Sequence, residues 1–250
     1  MHAAALPAKP FRRADGSPRR VLYAEDQTSS RVVTTAMLKR MGFEVDAVED
    51  GELALQYARH ETYDVILLDI EMPVMDGVTA ARSIREQLSH CNDTPILAMS
   101  AFLADSTEAT LWRSAFDSTL PKPANTNELA TALSSALGMK DRNVARGLQK
   151  TQWPEASEIL HALRNSMSMG AWRRLKATAV QEMNHLALAM SAAVEAHDVH
   201  LLRKCSQNLR GLALNFGGLG IVAAADAYLE DTEDKNWCAL LAAIAAWDAA

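Results

Sequence analysis

The run Val65-Ile66-Leu67-Leu68 and the shorter Ile96-Leu97-Ala98 carry no polar side chain on either of their alternating faces. A strand written this way must be covered on both sides, the condition of a central strand in a parallel sheet layered between helices. The flanking sequence supplies the covering layers. From Arg20 onward, short apolar runs alternate with helical stretches: VLYAED, SSRVVTTAMLKRMG, FEVDAVED, GELALQYARH, YDVILLDI, GVTAARSIREQLSH, TPILAMSA, a helix predicted over Ala104 to Phe116, STLPKP and NTNELATALSSAL. Five β-α units over residues 20–137 predict an α/β, doubly wound, five-stranded parallel sheet.

The strand signal stops at Gly138. A polar linker is expected over 138–154, and residues 155–250 read as helix to the end. Leu175, Ala179, Met183, Leu186, Met190 and Val194 line one face of a long helix that His197 and Asp198 should break. Leu202, Cys205, Leu209, Leu212 and Phe216 form a second stripe, ended by Gly217 and Gly218. With shorter helices near Leu219 to Glu230 and Lys235 to Trp247, the expectation is an all-α antiparallel four-helix bundle.

A length of 250 residues suits two domains of ordinary size. The net charge of -6 gives no global reason to expect nucleic acid as the main partner, and the second half holds no compact recognition-helix motif. No apolar run approaches the roughly 20 residues that span a bilayer. Cys91, Cys205 and Cys238 stand far apart, which argues against a disulfide framework or a zinc site and fits a reducing cytoplasm. Residues 1–19 read as a basic tail expected to be disordered, its cations being Lys9, Arg12, Arg13 and Arg19 against Asp15 alone.

In a doubly wound sheet, ligands sit beyond the carboxyl ends of the strands. The residues ending the runs are Glu25 and Asp26, then Asp69, then Ser100, then Lys122. Crowded carboxylates repel one another, and a hard divalent cation such as Mg2+ relieves that repulsion by taking oxygen ligands from them. The same set suits phosphoryl transfer: a carboxylate attacks phosphorus, the metal neutralises the incoming oxygens, and the Lys122 cation and Ser100 hydroxyl stabilise the acyl phosphate.

Through YAED, LLDIEMPVMDG, AMSA and LPKP, this half resembles response-regulator receiver domains, which have a flavodoxin-like fold. The resemblance implies that Asp69 takes phosphate from the phosphohistidine of a histidine kinase or a histidine-phosphotransfer (HPt) donor. It implies Mg2+ bound by Asp26, Asp69 and the backbone carbonyl of Glu71, with Glu25 assisting through water, and a Lys122-Pro123 bond that is often cis. Met75, Asp76 and Gly77 are expected to form the turn after the acceptor loop. Receivers usually carry an aromatic switch residue where this chain has Thr119, so either a smaller side chain does the switching or activation is relayed differently.

The segment LLRKCSQNLRGLALNFGGLGIVAAADAYLE resembles the transfer helix of HPt domains, but Gln207 stands where the phosphorylated histidine would be, with Arg210 and Gly211 kept. At about 100° per residue, Gln207 lies about 170° from the mean direction of the Leu202 to Phe216 stripe, so it is expected to face solvent. His200, Arg203, Lys204, Arg210 and Gly211 lie toward the same side, with Leu214 at its edge, a basic face suited to docking against a receiver's acidic mouth. An amide is no phosphoryl acceptor near pH 7. His185 and His200 read as surface residues.

The expected function is a non-enzymatic, phosphorylatable adaptor: Asp69 accepts phosphate, and a non-phosphorylatable HPt-like bundle signals by binding a receiver, a kinase or another protein. The alternatives are a phosphorelay intermediate or phosphate sink, and a structural dimerisation bundle. The sequence leaves the oligomeric state open.

Overall fold

The computed structural model describes residues 11–13, 15–100, 114–122, 124–138 and 156–249. Strands β1 (Arg20–Ala24), β2 (Glu44–Val48), β3 (Val65–Asp69), β4 (Ile96–Ser100) and β5 (Ser118–Pro121) form one sheet in the order β2-β1-β3-β4-β5. Every pairing is parallel. Helices α1 (Thr28–Met41), α2 (Gly51–His60), α3 (Gly77–Gln87) and α4 (Thr126–Ala136) flank it. The apolar runs divide by alternation. Tyr23, Leu67 and Met99 pack with α1 and α4, whereas Leu22, Ile66, Leu68 and Ala98 pack with α2 and α3. Both faces are therefore covered, as the unbroken runs require.

The C-terminal region holds α5 (Ala156–Ser166), α6 (Met169–Glu195), α7 (Val199–Asn215), α8 (Leu219–Glu230) and α9 (Asp234–Ala249). Ser168 caps α6 and Asp198 caps α7, each side chain accepting a backbone N–H three residues on. The chain reverses between α6 and α7 at His197, which takes a left-handed φ of 55°, and α7 ends before Gly217 at φ 71°. Helix α6 packs on α7 and α9, and α8 packs on α7 and α9. The stripe on α7 is buried throughout, and Leu175, Ala179, Met183 and Met190 are buried on α6. Helix α5 is one more than the four expected; it lies against α1, to which α6 and α7 also pack. The core on the α1 side of the sheet thus continues without a break into the C-terminal helices. No described helix is long and apolar enough to cross a membrane.

One of these expectations needs correction. Of the basic tail, residues 1–10 and 14 lie outside the described residues, but the rest is folded onto the sheet. Phe11 is fully buried and stacks on Phe43 at 4.9 Å between ring centroids, and Arg13 pairs with Asp64 at 2.6 Å. One aromatic anchor outweighs the polar composition around it. The helix expected over Ala104 to Phe116 lies mostly outside the described residues; at its end, Ser114 and Ala115 form a turn and Phe116 is irregular. Pro123, and most of the expected linker, also fall outside.

Candidate functional site

The parallel register delivers the polar residues to one edge. Asp69 is the last residue of β3, Ser100 the last of β4, and Lys122 follows β5, with Asp69 opposite Met99 and Ser100 opposite Pro121. Glu25 and Asp26 follow β1. Carboxylate oxygens of Glu25, Asp26 and Asp69 lie within 4.8 Å of one another. Glu25, Asp69 and Ser100 are buried, and Asp26 is exposed. The Lys122 ammonium reaches into the cluster, donating to Glu25 Oε2 at 2.5 Å and to Asp69 Oδ2 at 2.7 Å. Its backbone N–H donates to the Ser100 carbonyl at 2.7 Å, fixing where the side chain starts. Tyr23 donates its hydroxyl to Glu25 at 3.1 Å.

The loop after Asp69 folds back tightly over the site. Gly77 N–H donates to the Ile70 carbonyl at 2.9 Å, and a Cβ at Gly77 would stand 2.0 Å from the Asp69 carbonyl oxygen. Only glycine fits there. Asp76 then caps α3 by accepting from Thr79 N–H at 2.8 Å, so the turn expected at Met75 to Gly77 is structural. The Glu71 N–H donates to Asp69 Oδ1 at 3.3 Å, and the Glu71 side chain is exposed at the rim. Thr119 sits half-buried in β5 opposite Ala98.

The electrostatics are those of a site short of positive charge. Burial pushes the Asp69 carboxyl up to about 7; Lys122 opposes that shift and Glu25 adds to it. Burial and the charge of Glu25 also raise Asp26. Burial alone would lower the Lys122 ammonium, but Asp69 and Glu25 outweigh it and raise it. Three carboxylates facing one ammonium, all-oxygen and converging, form a donor set that fits a hard divalent cation such as Mg2+.

The C-terminal helices cover this edge. On α7, Lys204 Nζ pairs with Glu71 Oε2 at 3.0 Å. From α6, Glu182 accepts from the hydroxyl of the fully buried Ser29 and from the backbone N–H groups of Thr28 and Ser29. Helix α1 has no side-chain cap of its own and no acidic residue in its first turn, so Glu182 serves as its N-terminal anion from across the interface. Burial raises the Glu182 carboxyl.

Gln207 does not face solvent. It points away from the apolar stripe of α7, as its helical position predicts, but what it meets is the sheet domain. It is half-buried and, with Asn208 and the buried Gly211, lines a cavity of about 30 Å³ that Glu25 and Lys122 border. Asn208 also lines a wider cavity of about 740 Å³ at the mouth of the carboxylate site, with Asp26, Glu71, Lys204 and His185. The wheel measures a residue only against its own helix; the covering surface comes from the first half of the chain. Of the other residues on that face, Arg210 pairs with Asp226 on α8 at 3.2 Å, Arg203 and His200 are exposed, and Leu214 is half-buried. Glu182, His185 and Asn208 carried no motif that would have singled them out as neighbours of the site.

Comparison with known proteins places the first half of the chain. Residues 21–134 match the family model of the response regulator receiver domain. Sensor protein GacS of Pseudomonas syringae pv. syringae is 34% identical over 128 residues, 50% of this chain and 14% of that protein. Transcriptional activator protein PfeR of Pseudomonas aeruginosa is 35% identical over 113 residues, 45% of this chain and 35% of that protein. The match thus spans well under half the length of these relatives. Among solved structures, the receiver domain of sensor histidine kinase PA1611 from Pseudomonas aeruginosa PAO1, with a magnesium ion coordinated in its active site cleft, is 32% identical. That alignment covers 49% of this chain and 99% of that one, with a TM-score of 0.46.

Proposed function

We propose that this chain, which belongs through its residues 21–134 to the response regulator receiver domains, is a two-component regulator phosphorylated on Asp69 and read out by its own C-terminal helices. The observation that carries this reading is the convergence of Glu25, Asp26 and Asp69 with Lys122 directly beneath α7. Asp69 is the nucleophile: Lys122 holds its carboxylate through Oδ2, and a carboxylate oxygen supplies the electron pair to phosphorus. Lys122 and the Ser100 hydroxyl then hold phosphoryl oxygens. Asp26, Asp69 and the Glu71 carbonyl would hold Mg2+, with Glu25 assisting through water, and the ion would supply charge neutralisation of the transferring group. The donor is a phosphohistidine of a kinase or HPt protein, and the chain acts as a phosphoacceptor whose only turnover is its own phosphorylation and dephosphorylation, in the cytoplasm, where its cysteines remain thiols.

Helices α6 to α9 form a four-helix, HPt-like bundle in which Gln207 replaces the acceptor histidine. The bundle occupies its own receiver's mouth as a transfer domain would occupy a partner's, through Lys204 and Glu71. An acyl phosphate carries about two negative charges where the Asp69 carboxylate carried one, near Lys122 and Lys204, so phosphorylation tightens this docking and withdraws the basic face of α7 from outside partners. Incubation with acetyl phosphate and Mg2+ should add one hydroxylamine-sensitive phosphate, read by intact mass, to the wild type and none to Asp69→Asn. Equal uptake by both refutes the assignment.

A further inference from the structure

We propose that Gln207 positions a water molecule for hydrolysis of the Asp69 acyl phosphate, so that the C-terminal helices act as a built-in phosphatase toward their own receiver; this rests on Asp69 being the acceptor. The Gln207 Oε1 atom is buried and has no hydrogen-bond partner among the described residues. A buried amide oxygen left unpaired is costly, and water is the usual partner in such a place. The cavity it lines, about 30 Å³, has room for such a water, for which about 10–15 Å³ suffices. Its border includes Lys122, whose ammonium touches Asp69, and Glu25. Asn208, the next residue, borders both this space and the wider mouth cavity lined by Asp26 and Glu71, and Lys122 links the smaller space to the Asp69 carboxylate.

The chemistry suits an amide. Gln207 is no nucleophile toward phosphorus, but its carbonyl accepts one O–H of a water and leaves that water's lone pair free, the role a glutamine takes in some nucleotide hydrolases. The water oxygen bonds to phosphorus as the bond between phosphorus and the Asp69 oxygen breaks. The bonding pair leaves on Asp69, restoring a carboxylate that Lys122 already neutralises at 2.7 Å. Both water protons end on the phosphate, which passes one to solvent near neutral pH. Docking through Lys204 and Glu182 holds the amide in place, so hydrolysis belongs to the docked state.

The test follows the full chain after loading with acetyl phosphate and Mg2+ and removal of the donor, timing the loss of hydroxylamine-sensitive phosphate. Gln207→Ala should lengthen the lifetime about tenfold, the size of one lost hydrogen bond to the attacking water, with the loading rate and the hydrogen-exchange protection of α1 and α7 unchanged. Lys204→Glu, which loosens docking, should lengthen it too. A Gln207→Ala lifetime equal to wild type overturns the inference and leaves the acceptor assignment intact. A longer lifetime accompanied by lost protection also overturns it, since the residue then acts only by docking. If wild type and Asp69→Asn load alike, the acceptor assignment falls and this inference with it.

Discussion

Replacing Glu182 by alanine removes the anion that caps α1 from the opposite half of the molecule. Three donors lose their acceptor: the Ser29 hydroxyl, which is fully buried, and the N–H groups of Thr28 and Ser29. A buried hydroxyl left unpaired costs about 1–3 kcal/mol. Loss of a carboxylate at a helix N-terminus adds about 0.3–1 kcal/mol. Because Glu182 is only partly buried and water can reach the vacated space, the expected destabilisation is about 1.5–3 kcal/mol. Glu182→Gln keeps a carbonyl acceptor but not the charge and should lose about half as much. Urea denaturation followed by circular dichroism measures both, and hydrogen exchange of α1 reports whether its first turn frays. If Glu182→Ala changes stability by less than about 0.5 kcal/mol, the value for an ordinary surface substitution, the cross-interface cap is not an energetic feature of the fold.

Asp69→Asn should stabilise the metal-free protein in a pH-dependent way. The Asp69 carboxyl is raised from its ordinary 3.8 to about 7, so between those values the folded chain keeps a proton that the unfolded chain has released, and stability falls as pH rises through that window. The advantage of the variant should be absent below pH 4, grow toward pH 7 and level off above it at about 2–4 kcal/mol; urea titrations in a chelator check it, and a constant offset contradicts it. Gly77→Ala places a Cβ 2.0 Å from the Asp69 carbonyl oxygen. The loop must move, costing about 1–3 kcal/mol, and phosphate uptake from acetyl phosphate should slow along with the loss of stability; an unchanged midpoint and uptake rate would mean the loop yields freely.

The parallel sheet was legible because unbroken apolar runs such as Val65 to Leu68 admit few other environments, and the strand-end carboxylates followed from the topology. The stripes on α6 and α7 were equally readable, since a helix's periodicity records which of its faces is buried. The misread positions share one cause: their environment is made by residues distant in sequence. Gln207 was placed in solvent because nothing near it in the chain announces that Glu25 and Lys122 border the same cavity. Phe11 was assigned to a disordered tail because its partner, Phe43, lies beyond β1 and α1. Glu182 had no local signature at all, its partner Ser29 being 153 residues away.

The central claim, that the phosphoryl state of Asp69 is read by the helices seated on its mouth, is tested most directly by hydrogen exchange of α1 and α7 before and after phosphorylation by acetyl phosphate with Mg2+. Protection of both helices should rise in the wild type, as the added charge draws Lys204 inward, and stay unchanged in Asp69→Asn. Phosphorylation of Asp69 that leaves both helices exchanging at their original rates, or faster, would contradict it.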